Sequence, residues 1–167
     1  MDTTASSTAN EVAVLVPAAG RGRRLGGTPK QFRTLGEHPL LVQVLLLFEH
    51  HPAVDQAIVA APEGQVTEVT RRLRTEDLST LTAVVEGGDD RQASVRLALR
   101  AVPDAAGTVL VHDAARPFVA AAEVQAVVQA VRADGAASLV VSVADTLRRG
   151  EDEVFGETVP RDELYRM

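Results

Sequence analysis

The sequence predicts an α/β domain of doubly wound type with a mostly parallel sheet, and three observations carry that expectation. Short apolar runs alternate with amphipathic segments through brief connections, the pattern of strands joined by crossover helices. The first run, Val12 to Val16, is unbroken and rich in valine, which suits a strand buried on both faces. The glycines and charged residues of chemical interest fall in loops that follow the strands, where ligands sit in such a sheet.

Each element has its own reason. Residues 1–11 are polar and rich in Ser and Thr, with neither a basic n-region nor an apolar h-region, and read as a disordered tail. Val12 to Val16 is the first strand, and Pro17, having no N–H, is expected to end its ladder. A loop runs to Lys30 and beyond. Pro39 then suits the first turn of a helix from about Leu40 to His50, apolar nearly all round and therefore packed deep against the sheet. His50 and His51 lie at its end, where capping the helix dipole outweighs metal binding. Gln56 to Ala61 reads as the second strand, and Gln65 to Arg74 as a helix with Val66, Val69 and Leu73 inward. Leu81 to Val85 is the third strand. Ser94 to Val102 is the next helix, with Val95, Leu97, Ala98 and Leu99 largely inward. Thr108 to Val111 is the fourth strand. Val124, Val127, Val128 and Val131 recur at helical spacing, and Gly135 stops that helix. Leu139 to Val143 is expected as a fifth strand, closing at Ala144-Asp145-Thr146.

Composition narrows the classes of function. A chain of 167 residues suits one domain with a two- or three-layer core. A net charge of -6 argues against wholesale nucleic-acid binding. The absence of cysteine excludes disulfides and thiolate metal sites and is compatible with a reducing, cytoplasmic setting. The longest apolar stretch, Leu40 to Phe48 with Gln43 inside it, is too short to span a bilayer, so a soluble protein with no membrane partner is expected.

Against that acidic background, four cations crowd the loop after the first strand: Arg21, Arg23, Arg24 and Lys30. Gly20 and Gly22 let the backbone turn tightly there, and N–H groups in such a turn form a concavity that accepts anions. Guanidinium groups clamp phosphate oxygens in pairs. The dinucleotide fingerprint fails, because Leu25 stands where its third glycine belongs. A Walker A loop fails as well, because Lys30 follows Pro29. A phosphate site remains, and an ordinary βα turn with a basic rim fits the same glycines and charges.

Several spaced motifs then carry a resemblance. P-A-A-G-R-G-R-R at Pro17 to Arg24, P-K-Q at Pro29 to Gln31 and G-G-D-D-R-Q-A-S-V at Gly87 to Val95 resemble those of the sugar-phosphate cytidylyltransferases. So do H-D-A-A-R-P-F at His112 to Phe118, D-T-L at Asp145 to Leu147 and T-V-P-R at Thr158 to Arg161. Within that group the chain is most similar to the 2-C-methyl-D-erythritol 4-phosphate cytidylyltransferase family of the non-mevalonate isoprenoid pathway. Ribitol-5-phosphate cytidylyltransferase shares the fold and most of these motifs.

The resemblance implies a sheet of nucleotide-diphospho-sugar transferase type over residues 12–167, and a reaction of CTP with a sugar-alcohol phosphate. Arg24 and Lys30 match the catalytic cations. Pro17, Ala18, Ala19, Gly20 and Gly22 form the nucleotide loop, and Gly88, Asp89 and Ser94 match its cytosine and ribose side. Asp113, Arg116, Thr146 and Arg161 match the acceptor side, with Asp113 also helping to place Mg²⁺ as cofactor. From the residues alone, Asp113 equally fits an ion pair with Arg116, Asp89 and Asp90 fit a helix cap, and Arg91 fits a helix start. The family continues beyond the position of Met167, and Pro160 stands where it usually has Asp. In relatives, an arm beginning near residue 150 reaches into a partner subunit, so a homodimer is implied. On that comparison the C-terminal end is missing, and the 167-residue chain is expected to show negligible transferase activity, weak CTP binding and a tendency to aggregate. An inactive nucleotide-binding remnant is the alternative to an enzyme.

Overall fold

The computed structural model describes residues 11–20 and 29–167. Its centre is a four-stranded parallel sheet in the order β5-β4-β1-β6, built from β1 (Glu11–Pro17), β4 (Gln56–Ala61), β5 (Leu81–Glu86) and β6 (Ala106–Val111). Between β1 and β4 come a 3-10 turn (Lys30–Phe32), a small hairpin of β2 (Thr34–Leu35) and β3 (His38–Pro39), and helix α1 (Leu40–Glu49). Helix α2 (Val66–Leu73) links β4 to β5, α3 (Arg91–Leu99) links β5 to β6, and α4 (Ala121–Asp134) follows β6.

The alternation of side chains along β1 explains why the sheet needs cover on both faces. Val12, Val14 and Val16 point into one core cluster with Leu41, Leu45 and Phe48 of α1, Val69 and Leu73 of α2, and Val124 and Val128 of α4. Ala13 and Leu15 point the other way, into a smaller cluster with Ile58, Ala60 and Ala98 of α3. Residues Val12 to Val16 are almost wholly buried, as a central strand covered on both faces must be. Each such valine or leucine contributes roughly 1.5–3 kcal/mol by leaving water.

Local chemistry sets the ends of these elements. In α1, Leu41, Val44, Leu45 and Phe48 recur at helical spacing and are buried, and Pro39 stands at the N-cap. At its C-terminus, His50 bonds back through Nδ1 to the Leu46 carbonyl at 2.7 Å. His51 is buried, accepts the Ala53 N–H at Nδ1 and therefore donates from Nε2 to the Ala121 carbonyl. His50 thus closes the last turn of α1, and His51 ties the segment after α1 to the start of α4. Glu49 accepts hydrogen bonds from the N–H and hydroxyl of both Ser79 and Thr80, fastening α1 to the turn before β5. Those hydroxyl bonds, foremost that of Ser79, hold its carboxyl down at about 2 from an ordinary 4.5. Gly135 ends α4 in the left-handed conformation, φ 82°.

Several sequence expectations need correction. Residues 139–143 do not add a fifth strand to the parallel sheet. Only β7 (Val141–Ser142) forms there, antiparallel to β10 (Tyr165–Arg166), and the Val143 N–H bonds to the Leu164 carbonyl. The apolar run drew the strand expectation, but Leu139, Val140 and Val141 are each about half exposed, and the backbone partners come from the segment around Leu164. An apolar run marks a strand without naming its neighbour. Helix α3 starts at Arg91, three residues before the expected Ser94, because Asp90 caps it. Leu99 lies exposed rather than inward. Pro17 does not end the ladder: it still pairs with Ala60 of β4, and the Ala18 N–H continues to the Ala60 carbonyl at 2.8 Å. Pairing with β6 stops at Leu15, so the N–H that proline lacks falls where no partner strand remains. Glu11, expected in the tail, is already in β1. Beyond β7, β8 (Leu147–Glu151) and β9 (Val154–Val159) form an antiparallel hairpin over the stretch expected as an arm.

Candidate active site

All four strands of the parallel sheet end on the same side, and the loops after β1, β5 and β6 meet there. The loop after β1 begins Ala18-Ala19-Gly20. Ala18 is buried, with its N–H on the Ala60 carbonyl and its own carbonyl accepting from the Gln31 side chain at 2.5 Å. Gln31 also donates to the Gly20 carbonyl at 2.9 Å. Ala19 and Gly20 therefore hold the N–H groups of this stretch that remain for a ligand. Gly22 and Arg24 lie outside the described residues. Lys30 opens the 3-10 turn after Pro29 and is exposed.

The loop after β5 touches the first loop at Gly87. A Cβ built there would lie 2.4 Å from the Ala19 Cβ and 3.0 Å from both the Ala61 carbonyl and the Ser94 hydroxyl. Only a hydrogen fits, so this glycine is fixed by close approach rather than by its dihedrals. Gly88 is equally confined, 2.5 Å from the Ala93 Cβ by the same construction. Ser94, nearly inaccessible, accepts the Gly88 N–H at 3.1 Å and donates to the Asp90 carbonyl at 2.8 Å. Its hydroxyl folds the Gly-Gly-Asp-Asp turn back onto the start of α3 and positions Gly88. Asp90 caps α3 by accepting the Ala93 N–H at 2.7 Å, which resolves the open capping question in favour of Asp90; Asp89 is exposed on the turn.

The loop after β6 carries Asp113 and Arg116. Arg91 donates from Nε to Asp113 Oδ1 at 2.8 Å, and Arg116 from Nε to Oδ2 at 3.0 Å. The pairing with Arg116 that sequence left open is present, and Arg91 does two jobs, opening α3 and bridging two loops. Two guanidiniums on one carboxylate leave a local excess of positive charge, suited to a phosphate. His112 shapes the loop: its ring meets Phe48 edge-on at 5.2 Å, and its Nε2 bonds the Arg116 carbonyl at 2.8 Å. Burial pushes the His112 imidazole below its ordinary 6.5, so the neutral ring donates that bond.

Thr146 and Arg161 form a separate group. Thr146 is exposed beside β8, and Arg161 donates to the Ala144 carbonyl, which holds the turn before Thr146 against the segment after β9. For a magnesium site the donor set is poor. Asp113 has both oxygens on arginines, and no group of three or more His, Asp or Glu among the described residues could hold a metal ion. Among the described residues the side chains alone do not fit a resident Mg²⁺.

This geometry now meets its relatives. The family model for 2-C-methyl-D-erythritol 4-phosphate cytidylyltransferase (IspD) matches residues 12–167. The chain belongs to that family. A cytidylyltransferase of this name from Salinibacter ruber is 76% identical over 156 residues, covering 93% of this chain and 66% of the relative. The solved structure of the Thermus thermophilus 2-C-methyl-D-erythritol 4-phosphate cytidylyltransferase is 38% identical with a TM-score of 0.70, covering 93% of this chain and 66% of that one. The Anaerococcus prevotii 4-diphosphocytidyl-2C-methyl-D-erythritol synthase superposes with a TM-score of 0.77 at 21% identity, over 95% of this chain and 67% of that one, a likeness of fold. The chain therefore spans about two thirds of the length of these family members.

Sequence reasoning overlooked Gln31, Gly87 and His112 as parts of the site. Gln31 and His112 stood inside quoted motifs, but their roles depend on which carbonyls lie beside them. Gly87 had a visible signal, two glycines in succession directly after a strand.

Proposed function

We propose that this chain carries the nucleotide-binding part of an enzyme that transfers a cytidylyl group from CTP to 2-C-methyl-D-erythritol 4-phosphate. The observation that carries this reading is the junction of three loops at the carboxyl ends of the strands: the glycine loop held by Gln31, the Gly87–Ser94 turn against it, and the Arg91–Asp113–Arg116 bridge beside both. A nucleotide loop and a cationic acceptor loop meeting at one place are what joining two phosphates requires.

The acceptor's phosphate oxygen forms a bond to the α-phosphorus of CTP. The bond from that phosphorus to the bridging oxygen breaks, and pyrophosphate leaves with the electron pair. A phosphate dianion needs no base, so the protein's part is alignment and neutralisation of charge. Lys30, with Arg24 from the stretch before it, faces the triphosphate in this reading. Ala19 and Gly20 offer N–H groups, Gly88 and Asp89 border the base and ribose, and Arg116 meets the acceptor phosphate with Thr146 and Arg161 completing its side. Magnesium enters only as the counter-ion that the triphosphate carries in solution. The same reading makes the protein a cytoplasmic homodimer whose β8–β9 hairpin meets a second copy; no helix among the described residues is long and apolar enough to cross a membrane.

The test is pyrophosphate release from CTP with 2-C-methyl-D-erythritol 4-phosphate, run beside ribitol 5-phosphate and beside ATP as donor. Release with the first pair alone supports the assignment. Calorimetry showing equal affinity for CTP and ATP removes the cytidine reading and leaves a general triphosphate site.

A further inference from the structure

Gln31 is one of four buried polar side chains among the described residues, and its side-chain NH₂ goes to the backbone of the glycine loop. Its two amide hydrogens go to two carbonyls, those of Ala18 and Gly20, which stand 13 and 11 residues earlier in the chain. In a trans peptide the N–H lies opposite the C=O. Drawing the Ala18 carbonyl toward Gln31 therefore turns the Ala19 N–H away from it, and the second bond fixes the Gly20 carbonyl on the same side. A carboxamide suits this task, because it offers two donors on one planar nitrogen and brings no charge into a buried place.

The neighbours of Gln31 give the clamp a second consequence. Lys30 precedes it in the same 3-10 turn and is exposed, whereas Gln31 is buried. One side chain thus anchors the turn that presents Lys30 and, at the same time, the loop that presents the Ala19 and Gly20 N–H groups. The same loop also packs closely against Gly87 at Ala19.

We infer that Gln31 is a positioning residue that couples Lys30 to the glycine loop, so that cation and N–H groups reach one triphosphate together. The inference rests on the nucleotide-site reading above, and its test separates the two. In Gln31→Met the shape is nearly kept while both donors are lost. Amide hydrogen exchange should quicken at Ala18, whose N–H bonds the Ala60 carbonyl, and at Phe32 and Arg33, whose N–H groups close the 3-10 turn, and stay unchanged at Ile58 to Ala60 of β4. CTP should bind about tenfold or more weakly, the loss expected when buried carbonyls lose their donors and the loop relaxes. The Lys30→Ala substitution should then weaken CTP binding less in the Gln31→Met background than alone, since the lysine is already misplaced. Gln31→Asn, which keeps the amide on a shorter reach, should fall between wild type and Gln31→Met in exchange and affinity, and it decides the matter if the methionine variant does not fold. Unchanged exchange at Ala18, Phe32 and Arg33 in a folded variant, or additive effects of Gln31 and Lys30, would overturn the inference even where CTP binds. Faster exchange in a protein whose wild type ignores CTP would instead overturn the nucleotide reading and leave the clamp standing.

Discussion

Replacing Gly87 with Ala tests whether the contact between two loops, rather than backbone flexibility, dictates that glycine. The added Cβ would stand 2.4 Å from the Ala19 Cβ, where carbon atoms need about 3.4 Å or more, so something must move by about 1 Å. The obstructing atoms are a Cβ fixed to the main chain and the Ala61 carbonyl at 3.0 Å, neither of which can swing aside like the tip of a long side chain. Overpacking of this kind costs about 1–3 kcal/mol. In a chain of this size that lowers the thermal midpoint by about 2–12 °C. The same displacement shifts Ala19, and a misplacement near 1 Å weakens a catalytic arrangement by about a hundredfold. Gly20→Ala is the matched control. Its Cβ meets nothing within 4 Å, yet it sits where a ligand would approach. It should melt as wild type does while binding CTP more weakly. Thermal unfolding and calorimetry on both variants decide the case. A Gly87→Ala protein with unaltered midpoint and CTP affinity would refute the close-approach argument, and a destabilised Gly20→Ala protein would refute the open space beside Gly20.

Three further outcomes follow from the ionisable groups. Glu49 titrates near 2 when folded and near 4.5 when free, so its stabilisation is complete above pH 4.5 and is lost as pH falls toward 2. Discounted for its partial solvent contact this is on the order of 1–2 kcal/mol, and Glu49→Gln should flatten the acid limb of a urea-denaturation profile by that amount. His112, whose folded value lies below 6.5, contributes stability at neutral pH that fades as pH drops below 6.5, where the unfolded chain takes the proton first. His112→Phe should abolish that slope while losing about 1 kcal/mol for the bond to the Arg116 carbonyl, measured by the same denaturation series. Asp113→Asn removes the carboxylate from between Arg91 and Arg116, an exposed arrangement, so the melting midpoint should move by less than about 3 °C. Binding of 2-C-methyl-D-erythritol 4-phosphate by calorimetry should tighten as both guanidiniums lose their counter-charge; unchanged affinity would show that these arginines do not face the acceptor phosphate.

The parallel sheet was legible because Val12 to Val16, Gln56 to Ala61 and Leu81 to Val85 combine apolar runs with periodic helices between them, and burial is what those patterns encode. Strand partners were not legible for residues 139–143, since pairing depends on which other backbone arrives, here that of Tyr165 and Arg166. At the site, the loops themselves announced their chemistry through glycine and charge. What stayed hidden were contacts between loops far apart in sequence: Gln31 with Ala18, Gly87 with Ala19, Arg91 with Asp113. Asp90 over Asp89 as the cap is a matter of one residue of phase, which a pair of adjacent acids cannot declare.

The central position of β1 has a consequence during synthesis. Leu15 pairs with Ile58 on one side and with Val111 on the other, so the strand of this sheet that is made first has one neighbour that appears only much later. At about 5–20 residues per second, a gap of roughly a hundred residues leaves that strand waiting some 5–20 s for its second partner. Throughout that interval its valines and open backbone are available to any other nascent chain, which makes β1 the strand of this sheet most in need of a chaperone. The same long-range closure means that the three loops cannot assemble around a nucleotide until β6 has docked, so ligand can reward only the finished sheet.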